Sequence, residues 1–265
     1  MEQLVILSII FLAVSGFFSM VGLGGGILYV PILLFAGYSL NHAPGISLML
    51  IAATSAAASI TFWRNDKVDW RLALVIDPPT DVMAFVGGYF SAQVPKGVLR
   101  ILLASILILA GWLMFRKKGR GVIKPSGSRW WVWHRRFGDE TYQVNLPLVL
   151  IASGSIGLLS GLLGIAGGVV KLPIMVLLCG VPMDVAVATS TVMIGVTALS
   201  GLVGHQIQGN VLWNVGFILS GVAVVGGLIG SRISLSVDKA RLKRIFALVL
   251  WFVAARFLVQ TFFGW

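Results

Sequence analysis

The chain has 265 residues, 58% of them hydrophobic and only 11% charged, with a mean hydropathy of +0.97. An ordinary globular domain carries about 25% charged residues, so this composition excludes most soluble classes and marks a polytopic membrane protein. The net charge of +11 would suggest nucleic acid in a soluble protein; in a membrane protein it reports topology, because cytoplasmic loops retain Lys and Arg.

Apolar runs bounded by Gly, Pro, Asn and charges predict ten helical segments. The first five cover residues 4–20, 25–37, 43–63, 72–92 and 98–115. A basic stretch over 116–146 follows, and then segments over 147–163, 167–180, 186–204, 214–233 and 244–262. The start, Met1-Glu2-Gln3, has no basic n-region, so the first run is expected to be a retained helix. Segments two and seven are markedly shorter than the rest, and each opens on a glycine cluster. Cys179 is the single cysteine; it forms no internal disulfide and reads as a small core residue.

The second half of the chain repeats the first in a nearly constant register. Gly22-Leu23-Gly24-Gly25-Gly26 aligns with Gly164-Ile165-Ala166-Gly167-Gly168, and Pro31-Ile32 with Pro173-Ile174. After one inserted residue the register continues through Gly37/Gly180, Ser47/Ser190, Thr54/Thr197, Trp70/Trp213, Gly87/Gly230 and Lys96/Lys239. The expected organisation is therefore a first repeat over 1–115, a basic cytoplasmic loop over 116–146 with an interfacial aromatic segment, and a second repeat over 147–265.

If all ten segments cross, sixteen of the twenty Lys and Arg fall on one face. That face is expected to be cytoplasmic, with both termini outside. Five crossings per half make the halves antiparallel, the inverted-repeat plan of many secondary transporters. The matched loops agree: Arg64, Lys67 and Arg71 face a loop, His205 to Trp213, that has neither Lys nor Arg.

The glycine clusters are the first candidate site. Closely spaced glycines inside an apolar segment break the helix and bare backbone N–H groups that need a partner at membrane depth. A short helix starting there aims its positive end at an anion. Gly24, Gly25 and Gly26 with Gly167 and Gly168 are the predicted backbone donors; the alternative is close packing, since Gly22/Gly26 and Gly164/Gly168 are GxxxG pairs. Lys171, opposite Tyr29 in the repeat, is expected to pair with a substrate's negative charge or to snorkel to an interface. Ser47, Thr54, Ser190 and Thr197, with Ser55 and Thr191, could offer hydroxyls to an oxyanion or join helices. Asp77 and Asp81 share a helix face. They read either as a proton relay or as carboxylates bonded to Arg232 or Arg71 or lying in the interface. His42 and His205 are expected in solvated or capping roles. Arg129 to Arg136 interleaves cations and aromatics and is expected to lie on the anionic inner leaflet.

At these residues the sequence resembles the sulfite exporter TauE/SafE family, also called the TSUP anion transporters. The resemblance is carried by GLGGGILYVPILL (Gly22 to Leu34), GIAGGVVKLPIMVL (Gly164 to Leu177), Ala186-x-x-Thr189-Ser190, and Gly226-x-x-x-Gly230 with Arg232. It implies an all-α polytopic carrier of sulfur-containing anions, such as sulfite, sulfoacetate or other organosulfonates, mostly exported, in the bacterial inner membrane. Ala166 in place of a third glycine and Lys171 opposite Tyr29 make the site asymmetric. The partners implied are a small anion and the lipid bilayer, with no nucleic acid, cofactor or metal; a homodimer is left open. An anion channel and a membrane-embedded transferase are the competing classes, and the second lacks HExxH and Gly-x-Ser-x-Gly patterns.

Overall fold

The computed structural model describes residues 2–22, 26–95, 97–99, 101–102, 104–105, 108, 112, 131–138, 140–165, 167–177, 179–236, 251–252 and 255. Its helices are α1 (Glu2–Val21), α2 (Gly26–Phe35), α3 (Ala43–Arg64), α4 (Trp70–Phe90), α5 (Leu146–Leu163), α6 (Gly168–Leu177), α7 (Met183–Ile207) and α8 (Trp213–Ser234). The positions described in the predicted fifth and tenth segments are helical as well. The fold is an all-α membrane architecture. α3, α5, α7 and α8 are each long and apolar enough to cross a bilayer, which takes about 20 residues.

α2 and α6 have ten residues each and open on Gly26 and Gly168, equivalent positions of the repeat. At 1.5 Å per residue each is about 15 Å long, half the hydrocarbon thickness. Each carries a proline at its sixth position, Pro31 and Pro173.

Packing is interleaved between the halves. α1 lies on α8 and α5 on α4; α3 touches both α8 and α7, α7 touches α4, α2 lies on α3 and α6 on α7. Exchanging each helix for its counterpart in the other half leaves this set of contacts unchanged. The two central helices cross in opposite directions. Gly195 of α7 sits against Ser55 of α3, and Gly201, further along α7, sits against Leu48, further back along α3.

Burial separates centre from periphery. The apolar windows of α3 and α7 are 67% and 72% buried, against 44% and 39% for α5 and α8. The outer helices turn large apolar side chains outward, including Ile9, Leu74, Ile151 and Phe217, a surface suited to lipid and costly in water. Glycines allow the outer pairs to touch: a Cβ on Gly161 would stand 2.0 Å from Ala84 O, and one on Gly230 would stand 1.9 Å from Gly16 O.

The basic stretch was expected to carry an aromatic segment, with no strand assigned to it. Its described part forms an antiparallel hairpin, β1 (Val132–Phe137) and β2 (Glu140–Asn145). Two-residue alternation explains this, since Trp133, Arg135 and Phe137 turn inward while His134 and Arg136 are exposed. Arg129 and residues 116–128 lie outside the described residues.

The hairpin is tied to the start of α4. Asp69 caps α4 by accepting from Leu72 N–H. Its carboxylate also takes two hydrogen bonds from Arg135, at 2.9 and 3.0 Å, and one from the Tyr142 hydroxyl. Arg135 and Tyr142 are cross-strand partners, so the strand register delivers both donors to one carboxylate. Burial alone would raise the Asp69 pKa; the hydrogen bonds from Arg135, Tyr142 and the Leu72 amide outweigh it and hold the group below its usual value.

Candidate functional site

The described residues of the two glycine clusters are buried and lie beside each other, Gly26 against Ile165. α1 and α5 are followed by glycines at equivalent positions, Gly22 (φ +73°) and Gly164 (φ +69°), in the left-handed region that glycine adopts without penalty. A hydroxyl from the other half holds each turn. Ser47 on α3 donates to Gly164 O at 2.7 Å, and Ser190 on α7 donates to Gly22 O at 3.2 Å. These are the matched serines of the repeat, and each lies close to the turn that opens the opposite half's short helix. Their hydroxyl hydrogens are engaged with backbone carbonyls.

The start of α2 touches the loop that leads into α6: a Cβ on Gly26 would stand 2.8 Å from Ile165 O. Close packing is just as real, for Gly22 lies against Val187 and Gly164 against Pro44. Gly167 has φ +66° and, like Gly168, is buried. Gly24 and Gly25 lie outside the described residues.

One turn into each short helix stands a polar side chain. Tyr29 is fully buried, with its hydroxyl 3.2 Å from Thr54 Oγ1, and Thr54 also donates to Leu50 O. Lys171, 2% exposed, donates to Thr197 Oγ1 at 2.7 Å and forms an ion pair with Asp77. Thr197 in turn donates to Asp81 Oδ1 at 2.7 Å and lies 3.4 Å from Asp77 Oδ1. The matched pairs Tyr29–Thr54 and Lys171–Thr197 thus repeat one geometry with different chemistry: neutral in the first half, charged in the second.

Sequence reasoning named Lys171, Asp77, Asp81 and Thr197 separately; the fold brings them together. Asp77 pairs with Lys171, while Arg71 and Arg232 are exposed. Position supplies the setting, since Asp81 is the twelfth residue of the 21 in α4 and Thr197 the fifteenth of the 25 in α7. Both are near mid-helix. An ion pair taken from water persists only with good geometry and further hydrogen bonds; Thr197 accepts one from Lys171 and gives its single hydroxyl hydrogen to Asp81, with Asp77 within 3.4 Å.

Of the two roles expected for His205, solvated or capping, burial excludes the first. Its Nε2 lies 2.9 Å from Gly161 O, in the last turn of α5, and its Nδ1 3.2 Å from Ser91 Oγ, so it bridges α7 to α5 and to the end of α4. His42 is half-buried, with Nδ1 3.2 Å from Asn210 O. Thr191 donates to Val187 O in its own helix. The Ser55 hydroxyl is buried with no hydrogen-bond partner among the described residues. No three His, Cys, Asp or Glu come together as metal ligands among the described residues. Asp69 escaped sequence reasoning altogether; an acidic residue immediately before the apolar run of α4 was the available signal.

A family model described as sulfite exporter TauE/SafE matches residues 7–257. Probable membrane transporter protein YunE of Bacillus subtilis (strain 168) is 28% identical over 256 residues, covering 93% of this chain and 94% of its own. Probable membrane transporter protein YfcA of Escherichia coli (strain K12) is 27% identical over 253 residues, covering 93% and 87%. A probable membrane transporter protein of Xylella fastidiosa (strain 9a5c) is 26% identical over 244 residues, covering 89% and 87%. No solved structure matches the chain significantly.

Proposed function

This chain belongs to the sulfite exporter TauE/SafE family of membrane transporters, and on that premise we propose that it is a secondary transporter exporting sulfur-containing anions, sulfite or organosulfonates, across the bacterial inner membrane. The observation that carries the proposal is the pair of half-length helices whose glycine openings adjoin at Gly26 and Ile165. Helix N-termini are ready-made anion sites, and broken helices near the midplane are how many carriers build one. The substrate class and the direction rest on the family.

Alternating access between two inverted halves follows from the repeat. Its support is the opposed crossing of α3 and α7 and the contact set that survives exchange of the halves. In this reading all ten segments cross and the basic loops are cytoplasmic. Gly24, Gly25, Gly26, Gly167 and Gly168 present the amides, Lys171 supplies charge, and Tyr29 with the matched hydroxyls Ser47, Thr54, Ser190 and Thr197 shapes the wall.

The test is a thermal-shift panel on purified protein with sulfite, thiosulfate, sulfate, taurine and sulfoacetate. Stabilisation by at least one anion that Lys171→Met removes is expected. No stabilisation by any of them would overturn the substrate class.

A further inference from the structure

We propose that the transported anion and the Asp77 carboxylate compete for the Lys171 ammonium, so that one proton travels with each anion. This rests on the transporter reading and adds its coupling mode. As the structure stands Lys171 is already neutralised: it is 2% exposed, paired with Asp77, and spends a second N–H on Thr197. With both carboxylates ionised the cluster carries one net negative charge, which repels an incoming anion.

A proton resolves this. Asp81 is the partly exposed member, while Lys171 and Asp77 are buried, so the proton enters at Asp81. Thr197 stands between the carboxylates, 2.7 Å from one and 3.4 Å from the other. Its hydroxyl passes its own hydrogen to Asp77 as it takes the one from Asp81. One O–H bond is lost at Asp81 and one is gained at Asp77, and nothing else changes. Neutral Asp77 releases Lys171, still an ammonium, to the anion. The buried net charge is then the same in the empty cluster and in the cluster holding a proton and a monoanion.

Among the described residues of the helices packed around the cluster, no other charge intrudes. α5 carries no ionisable residue, and α3 carries only Arg64, exposed at its far end. α4 adds Arg71, exposed in its first turn, and the phenol of Tyr89 near its end, and α6 has Lys171 alone. On α7, Asp184 is thirteen residues from Thr197 and His205 eight, roughly 20 and 12 Å along the helix.

Isethionate is the probe, because a sulfonate stays ionised across the working pH range and any proton that moves is carried by the protein. In proteoliposomes holding a pH-sensitive dye, an imposed isethionate gradient is expected to shift the internal pH, and Asp81→Asn to cut that proton flux at least tenfold. Isethionate binding is expected to tighten up to tenfold for each unit that pH falls, and Asp77→Asn to abolish that dependence. If Asp77→Asn does not fold, Asp81→Asn, which leaves the Lys171–Asp77 pair in place, carries the test. Isethionate movement without protons in the unaltered protein, or full proton flux through Asp81→Asn, overturns the proposal. No movement of isethionate, sulfite or thiosulfate by the unaltered protein overturns the transporter reading itself, a distinct outcome.

Discussion

Tyr29 and Lys171 stand at equivalent points of the two short helices, and each reaches the equivalent threonine, Tyr29 to Thr54 at 3.2 Å and Lys171 to Thr197 at 2.7 Å. The halves therefore share one scaffold and differ by a charge. The second half needs Asp77 to offset the ammonium, whereas Tyr29 needs no counter-ion.

Removing one member of that pair strands the other. Lys171→Met leaves the Asp77 carboxylate buried and uncompensated and is expected to cost about 3–5 kcal/mol. The double variant Lys171→Met/Asp77→Asn is expected to regain most of the loss. Denaturation of the four proteins in detergent measures the coupling; additive losses would show that the pair does not act as a unit.

The crossed serine bonds hold the two turns. Ser47→Ala and Ser190→Ala each leave the carbonyl of a buried glycine without this donor, and each is expected to cost about 1 kcal/mol. Ser47→Ala should cost more, because its bond is shorter and Ser190 also bonds Val187 O in its own helix. Melting temperatures of the two single variants check the order.

Gly22→Ala and Gly164→Ala combine a left-handed backbone, about 1–2 kcal/mol for any other residue, with overlap. The new methyl would stand 2.3 Å from Val187 Cγ1 or 2.4 Å from Pro44 Cα. Gly37 is the control, with φ +89° and open space around it. Gly37→Ala is expected to yield monodisperse protein with a modest fall in melting temperature, and the other two to aggregate on extraction, as read by size exclusion.

Asp69 predicts an acid limit. Because its pKa in the folded protein is lowered, its contribution is fully present above the ordinary value of 3.8 and is lost as pH falls through the lowered folded value. Asp69→Ala is expected to cost about 0.5–2 kcal/mol at neutral pH for the helix cap alone, and to flatten the stability profile below pH 4 relative to the unaltered protein. An unchanged acid profile would dismiss the Arg135–Tyr142–Asp69 tie.

Much of this was legible in the chain. α2 and α6 open where the glycine clusters predict, although each ends sooner than the expected segments 25–37 and 167–180, and α3 begins at Ala43 as its apolar run does. Convergence was not legible, because a single sequence gives no distance between Lys171 and Asp77, 94 residues apart. The hairpin was missed for another reason: Trp133, Arg135 and Phe137 alternate correctly for a strand, but the same residues also satisfy the pattern of a basic aromatic surface. The burial and partners of His205 were not legible, because a histidine near a helix end gives no sign that Gly161 O and Ser91 lie behind it.

Whether the paired helix openings serve an anion carrier is tested most directly by exchange across a bilayer. Proteoliposomes loaded with unlabelled sulfite or isethionate are placed in trace labelled anion of the same kind. A carrier is expected to concentrate the label transiently inside, saturably, with Lys171→Met losing at least tenfold of the rate. Label that only equilibrates without overshoot, or overshoot undiminished in Lys171→Met, would contradict the account.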